Sequence, residues 1–207
     1  MIRRHFTAGF AATLLATPRA FAAELTATPS QTEGPFYPVA FPADSDMDLV
    51  QVRGQAAQAM GTVLHLQGRV LDLAGKPLNR AMVEIWQCDA QGLYDHPRQP
   101  GRERRDAAFQ GYGSVVTDAQ STYRFRTLTP VAYPGRTPHI HLKVATADGR
   151  RLTSQFYLAG DPMNANDFVY RNVARDPRRL ERIEMRLEPA PGIEAGAFTA
   201  SMDIVIA

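Results

Sequence analysis

The sequence predicts an all-β protein, an antiparallel β-sandwich with an extended N-terminal arm and a few short helices. Apolar and polar residues alternate in several short segments, and turn residues separate these segments. The chain has 207 residues, of which 44% are hydrophobic and 21% are charged, so it can form one globular domain with a substantial core. Together these patterns are typical of a sandwich built from two packed sheets.

Each predicted strand rests on period-2 alternation. In TVLHLQGRVLDL, Leu64, Leu66 and Val70 share one face, and AMVEIWQC and YRFRTL alternate similarly after turn segments. We expect Trp86 in AMVEIWQC to pack in the core. A short helix is predicted over residues 167–174. The last two segments, RIEMRLE and AFTASMDIVI, place these residues on one face: Ile183, Met185, Leu187, Phe198, Ala200, Met202, Ile204 and Ile206.

The first 23 residues are typical of a secretory signal, with a basic start, an apolar middle and small residues before Glu24. The pair Arg3 and Arg4 favours a twin-arginine signal over an ordinary Sec signal, and both predict export to the periplasm or the extracellular space. Removing Arg3, Arg4 and Arg19 leaves 20 basic and 21 acidic residues. We therefore expect no nucleic-acid binding and no membrane span in the mature chain.

The mature chain divides into an arm, residues 24–60, and a β-sandwich domain, residues 61–207. The arm is rich in Pro, Thr, Ala and Asp and shows little periodicity, so we expect it to lie over the core or over a partner subunit. The single cysteine, Cys88, cannot form an internal disulfide. We interpret it as a small buried apolar residue rather than a nucleophile.

The segment YPGRTPHIHLKV carries the strongest indication of chemistry. In a strand, residues two apart point the same way, so His139 and His141 share a face while their apolar neighbours face the core. Such a pair is either half of a metal site or two surface histidines, and the spacing alone does not decide.

Two tyrosines could complete a metal site. Tyr133 precedes the histidine pair by six residues, and Tyr94 lies in a loop that follows the Trp86 strand. A phenol with a pKa near 10 ionises as a ligand only on a hard, highly charged cation, and Fe(III) suits two phenolates and two imidazoles. We interpret His65 and His96 as surface or loop residues, whereas the role of Tyr37 cannot be read from the sequence.

Several motifs in order resemble those of the intradiol ring-cleavage dioxygenases, above all their protocatechuate 3,4-dioxygenase branch. They are VEIWQCDAQGLYDH, FQGYGSVVTDAQSTYRFRTLTP, AYPGRTPHIHLKV and SQFYLAGDP, and TPSQTEGPFYP in the arm resembles a stretch near that family's substrate pocket. The likeness runs from about Thr28 to the C-terminus. It implies a transthyretin-like or immunoglobulin-like sandwich that holds one non-haem Fe(III).

The resemblance implies a role for each matching residue. The metal ligands would be Tyr94, Tyr133, His139 and His141, and Tyr133 would leave the iron when substrate binds. Arg136 would steady negative charge on the substrate and Gln155 would line the pocket. Gly34 and Pro35 would contact the substrate from the arm.

The activity implied by the resemblance is cleavage of a catechol-type ring by O2 between its two hydroxyl-bearing carbons, giving a cis,cis-muconate-type diacid. A homodimer is possible, and the ring substituents of the catechol cannot be read from the sequence. Two alternatives belong to other classes of protein. One is a transthyretin-like binding module without catalysis, and the other is a zinc hydrolase that uses the histidine pair with a carboxylate.

Overall fold

A computed structural model describes residues 24–207, so the predicted signal of residues 1–23 lies outside the described residues. Two five-stranded sheets face each other and enclose the main core. Most strand pairs are antiparallel, as predicted from the alternating segments. The all-β sandwich is therefore confirmed.

The first sheet is centred on β1 (Val63–Asp72). On one side it pairs antiparallel with β4 (Thr122–Leu128). On the other side it pairs with β9 (Phe198–Ser201) and then with β10 (Ile204–Ile206). The short strand β8 (Glu188–Pro189) completes the sheet beside β9.

The second sheet has the strand order β3, β2, β5, β6 and β7. These strands span Tyr112–Val116, Met82–Trp86, His139–Ala145, Arg151–Leu158 and Glu184–Met185 respectively. All neighbours are antiparallel except β6 and β7. The strand that carries the histidine pair, β5, therefore lies in the middle of its sheet and is paired on both edges.

Three pairings are parallel, which the prediction of an antiparallel sandwich did not include. They join β1 to β9, β1 to β10, and β6 to β7. Alternation shows which face of a strand is apolar, but it is the same for both strand directions. The direction of pairing is set by the connections, since a segment that returns over the sandwich can enter a sheet either way.

The core between the sheets is formed by the faces that the alternation predicted. Leu64, Leu66 and Val70 of β1 are fully buried opposite Ile140 and Leu142 of β5 in one apolar cluster. Burying each such side chain stabilises the fold by about 1.5–3 kcal/mol. Of the predicted C-terminal face, Leu187 and Phe198 are only partly buried, whereas its other members are buried.

The helical segments are short and lie in the connections that follow β2 and β6. They are 3₁₀ turns at Arg102–Arg104 and Pro162–Asn166 and α-helices α1 (Phe168–Val173) and α2 (Pro177–Leu180). The helix predicted over residues 167–174 is confirmed as α1. The carboxylate of Asp167 caps it by accepting from the backbone amides of its first turn. No helix within residues 24–207 is long and apolar enough to cross a membrane.

The arm contains no helix and no strand within residues 24–60, apart from one β-bridge at Asp48. Its backbone is tied first to β10 through Thr28 and then to β6 through Gln31. It then crosses the outer face of the second sheet and reaches β4 through Leu49. The arm thus connects both sheets of its own chain and covers the face on which the histidine pair lies.

Candidate metal centre

The outer face of the second sheet carries the predicted site. His139 and His141 of β5 point away from the sandwich core, as the alternation predicted. In the register of the sheet, His141 lies between Trp86 of β2 and Gln155 of β6, and His139 lies opposite Tyr157. The antiparallel ladder therefore gathers five polar or aromatic side chains on one face.

The two imidazoles are turned towards each other. Their Nε2 atoms are 3.1 Å apart, and Nδ1 of His139 lies 2.7 Å from the carbonyl oxygen of Thr137. That carbonyl accepts the Nδ1 proton, so the Nε2 lone pair of His139 is free to bind a cation. Burial, with a smaller contribution from Arg136, lowers the pKa of His139 to about 3. Burial and the neighbouring His139 also lower the pKa of His141, so both rings are neutral at pH 7.

Tyr94 and Tyr133 flank this pair. Their ring centroids are 5.6 Å apart, Tyr133 lies 5.4 Å from His139, and Tyr94 lies 6.2 Å from His141. Burial raises the pKa of the Tyr94 phenol well above its ordinary value, and burial also raises that of Tyr133. The structure thus brings together all four side chains that the resemblance implied as ligands.

These residues fit a trivalent cation. The Tyr94 hydroxyl is buried without a hydrogen-bond partner, and two imidazole nitrogens face each other at hydrogen-bond distance. A buried hydroxyl without a partner costs about 1–3 kcal/mol, which a bound cation would offset. Phenolate and imidazole together suit Fe(III). Within the described part of the chain, no three His, Cys, Asp or Glu side chains converge on a metal position, so the carboxylate of a zinc hydrolase is not found there.

Arg136 is held beside the site by two buried partners. Its Nε donates to the Asp167 carboxylate at 2.7 Å, and its Nη2 donates to the Gln155 side-chain oxygen at 2.5 Å. Its Nη1 lies 3.5 Å from the Tyr133 hydroxyl. Burial alone would lower the pKa of Arg136, but Asp167 more than compensates and raises it. A fixed positive charge therefore stands next to the second tyrosine.

The arm closes the other side of the site. Gly34 has a φ of +74°, and a Cβ there would lie 3.2 Å from Cε1 of His141. Phe36 stacks on the Tyr94 ring with 4.6 Å between centroids. The carbonyl oxygen of Pro35 accepts from Arg98 at 2.8 Å. The predicted arm residues Gly34 and Pro35 thus lie at the site, and Gly34 is required there because any side chain would press on a ligand.

An ionic cluster attaches this part of the arm to the sheet. The Lys143 ammonium group contacts the Glu33 carboxylate and lies 3.5 Å from the centroid of the Tyr37 ring. The Tyr37 hydroxyl donates to Glu84 at 2.8 Å. Because Lys143 follows His141 on the same face of β5, the cluster is continuous with the site. It gives Tyr37 a role that the sequence did not reveal.

Trp86 and His96 each differ from expectation in one respect. Trp86 is buried but lies outside the core between the sheets, because it shares the outer face of β2 with Glu84 and stacks on His141 at 4.8 Å. The two-residue spacing from Glu84 was a signal for this. His96 lies in a loop, as expected, but it is buried rather than on the surface. His65 is partly exposed and contacts Glu194.

The remaining expectation concerned the cysteine. Cys88 is buried beside Trp86 and Tyr94, and burial raises the pKa of its thiol to about 12. A thiol with such a pKa is inert at neutral pH, which confirms the interpretation of a small buried residue. Next to this cluster, a cavity of about 150 Å³ adjoins Trp86 and Tyr94 and is walled by arm residues 36–42.

Comparison with known proteins agrees with this geometry. The family described as "Dioxygenase" matches residues 32–191. The protocatechuate 3,4-dioxygenase beta chain of Burkholderia cepacia is 34% identical over 169 residues, which cover 78% of this chain and 71% of that protein. The chain belongs to the intradiol dioxygenase family. This confirms the predicted enzyme class and speaks against a binding module and a zinc hydrolase.

Two further relatives show how much of an intradiol dioxygenase is present. A catechol 1,2-dioxygenase of Acinetobacter baylyi is 33% identical over 162 residues, covering 70% of this chain but only 50% of its own length. The dioxygenase domain of a carbohydrate-binding fusion protein from Streptomyces sp. SirexAA-E superposes with a TM-score of 0.67 at 29% identity. That comparison covers 87% of this chain and 97% of the domain. The chain thus spans half the length of the Acinetobacter baylyi enzyme and nearly the full length of the Streptomyces domain.

Proposed function

We propose that this intradiol dioxygenase binds one Fe(III) through Tyr94, Tyr133, His139 and His141. With O2 it would cleave a catechol-type ring between the two hydroxyl-bearing carbons, giving a cis,cis-muconate-type diacid. The observation that carries the proposal is the convergence of two neutral imidazole nitrogens with a buried tyrosine hydroxyl that has no partner. The named relatives, which act on protocatechuate or catechol, support it.

Bound Fe(III) would supply Lewis-acid chemistry that makes a catechol ring reactive towards O2. The two tyrosines would then have different tasks. Tyr94 is packed by Phe36 and is buried, so it is suited to stay in place. Tyr133 is less buried and lies near Arg136, so it is suited to move away and accept a proton from the catechol hydroxyl.

Arg136 would stabilise the negative charge that develops on the substrate. Its guanidinium is oriented before substrate arrives, because Asp167 and Gln155 hold two of its three nitrogens. A preoriented charge of this kind costs no reorganisation during the reaction. Gln155 in turn donates to the carbonyl oxygen of Thr32 in the arm at 2.9 Å, so the arm and the charged group are positioned together.

We propose the class of the substrate, a catechol, and not the individual compound. Two adjacent hydroxyl groups are needed for chelation, and Gly34 and Pro35 lie where they could contact the ring from the arm. We also propose that the protein works as a single chain type, alone or as a homodimer, since all four ligands come from one chain.

The first test is the visible spectrum of the mature chain purified from iron-containing medium. Tyrosinate bound to Fe(III) absorbs visible light, so the protein should be coloured, with an absorption that shifts when catechol is added without O2. Admitting O2 should then produce a muconate-type diacid. A protein that stays colourless after loading with iron and oxidation in air would contradict the proposal.

A further inference from the structure

Asp167 lies outside the four proposed ligands but is connected to Arg136 beside them and, through Thr137, to His139. It is buried, and its carboxylate accepts four hydrogen bonds. One oxygen accepts from the Val169 and Tyr170 amides of α1, both at 2.9 Å. The other accepts from Nε of Arg136 at 2.7 Å and from the backbone amide of Thr137 at 3.0 Å. A short helix is thereby fixed to the segment that leads into β5.

The first connection runs from Asp167 to the charged group beside the substrate. Arg136 is almost completely buried, and its only acid partner in the described part of the chain is Asp167. An arginine side chain has several rotatable bonds, so a buried carboxylate on Nε fixes the plane of the guanidinium. With Nε held, Nη1 points towards Tyr133 and Nη2 towards Gln155.

The second connection runs through the backbone of Thr137 to a metal ligand. The amide of Thr137 donates to Asp167, and the carbonyl oxygen of the same residue accepts the Nδ1 proton of His139. The Thr137 hydroxyl donates to Asn164 at 2.7 Å, which fixes the residue from the side chain as well. A partner of this kind sets the tautomer and the ring orientation of a metal-bound histidine.

We propose that Asp167 is the residue that positions both Arg136 and His139 through a single carboxylate. It touches neither substrate nor metal and acts only through those two residues. The inference rests on the proposed function for the reaction of the substrate. The part that concerns His139 and the metal can be measured without turnover. A negative charge in the buried position is essential, because it balances the buried positive charge of Arg136.

The test compares Asp167→Asn with Asp176→Asn. Asp176 caps α2 as Asp167 caps α1, but it is exposed and distant from the ligands, so it controls for loss of charge at a helix cap. Asparagine is as good a cap as aspartate, so α1 should persist in both variants. For each protein, kcat and KM for catechol are measured per bound iron, together with the rate at which a chelator removes the iron.

We expect Asp167→Asn to lower kcat/KM about 10- to 100-fold and to speed iron loss by a similar factor, as is typical when a partner of a metal ligand is removed. Asp176→Asn should leave both quantities unchanged. The substitution is repeated in an Arg136→Gln background, where the loss of kcat/KM on changing Asp167 should largely disappear. In this double variant no Arg136 charge is left buried without a partner. If Asp167→Asn alone does not fold, the double variant can be compared with Arg136→Gln instead.

Two results would overturn the proposal. One is an Asp167→Asn variant whose turnover and iron loss match those of Asp176→Asn. The other is an equal loss of kcat/KM with Arg136 present and absent, since the effect would then not pass through that residue. Failure of the proposed function would appear differently, as a wild-type protein that does not turn over catechol. The rate of iron loss would still test the connection from Asp167 to His139.

Discussion

Two tyrosines of the same side-chain chemistry occupy different surroundings at the centre. Tyr94 is 2% exposed and stacks on Phe36, whereas Tyr133 is only partly buried and lies beside Arg136. Burial raises the pKa of both phenols, and for Tyr133 the nearby Arg136 guanidinium offsets part of that rise. This difference suits the proposed roles, in which Tyr94 stays on the metal and Tyr133 leaves it.

Replacing Tyr94 by Phe should remove iron without unfolding the protein. The ring and its stacking are kept, and only a hydroxyl without a hydrogen-bond partner is lost. We therefore expect iron affinity to fall at least about tenfold and the Tm of the iron-free protein to stay equal or rise slightly. Iron content, visible absorption and thermal unfolding of the iron-free form measure these effects.

Tyr112→Phe is the matched control for that substitution. Tyr112 belongs to the same buried cluster as Tyr94 but lies on β3, away from the histidine pair. It should keep full iron content. If Tyr94→Phe retained iron as well as Tyr112→Phe does, Tyr94 would not be a ligand.

At the scale of elements, an ionic cluster is one of the contacts that hold the arm over the face of the histidine pair. The chain has two lysines, and one of them, Lys143, joins the sheet to Glu33 and Tyr37 of the arm. This cluster lies next to Gly34 and Phe36, the arm residues that contact the ligands. The cluster therefore contributes to holding the arm where it closes the site.

Lys143→Met should loosen the arm and leave the sandwich intact. Methionine keeps most of the apolar stem but loses the ion pair and the cation–π contact, which together contribute about 1–2 kcal/mol in this partly exposed setting. Opening of the arm should then become roughly 5- to 30-fold more frequent. Limited proteolysis by chymotrypsin, which cleaves after aromatic residues that no proline follows, should speed up by that factor at the Phe36–Tyr37 bond.

The other lysine supplies the control. Lys76 is exposed in the turn after β1, and Lys76→Met should leave the rate of arm cleavage unchanged. Equal cleavage rates in the two variants would mean that the Lys143 cluster does not hold the arm.

The elements also show what a sequence can predict. Period-2 alternation identified the core faces of β1 and β5 and the shared face of His139 and His141, because these follow from strand geometry alone. It could not predict the parallel entry of β9 and β10, which depends on the path of the chain. The pairing of Arg136 with Asp167 was equally hidden, since 31 residues separate them and only the fold brings them together.

At the scale of the whole molecule, the two ends of the described chain stabilise each other. The Thr28 amide donates to the carbonyl oxygen of Val205, and the Val205 amide donates to the Thr28 hydroxyl oxygen, both at 2.9 Å. Val205 belongs to β10, which pairs with β1 at the centre of the first sheet. The start of the arm is thus fixed to the last strand.

Thr28→Ala should destabilise the whole protein more than the removal of so few atoms suggests. The substitution leaves the buried Val205 amide without an acceptor, which costs about 1–3 kcal/mol in the free energy of unfolding. Unfolding in urea measures the loss, with Thr26→Ala at a partly exposed position of the same arm as the control. A loss that is no larger than the control's would show that the contact between the two ends adds little.

A second long-range connection is ionic. Glu194, in the loop before β9, contacts Arg126 of β4 through two bonds of 2.7 and 2.8 Å, and it lies 3.1 Å from His65 of β1. Arg126 also pairs with Asp48 of the arm. Four separate segments thus meet where Arg126 pairs with the carboxylates of Glu194 and Asp48.

This connection predicts a stability that depends on pH. Hydrogen bonding to Arg126 lowers the pKa of Glu194 below its ordinary value. A carboxylate with a lowered pKa binds fewer protons in the folded state, so its contribution is complete above the unfolded pKa of about 4.3 and is lost as the pH falls through the folded pKa. Glu194→Gln should therefore lower the free energy of unfolding by about 1 kcal/mol at pH 7, since the pair is partly exposed to solvent. Near pH 2–3 the same substitution should change it very little. Urea unfolding at both pH values measures the difference, with the exposed Glu103→Gln as control. A cost for Glu194→Gln that is the same at both pH values would show that shape, rather than the charge on Glu194, connects these segments.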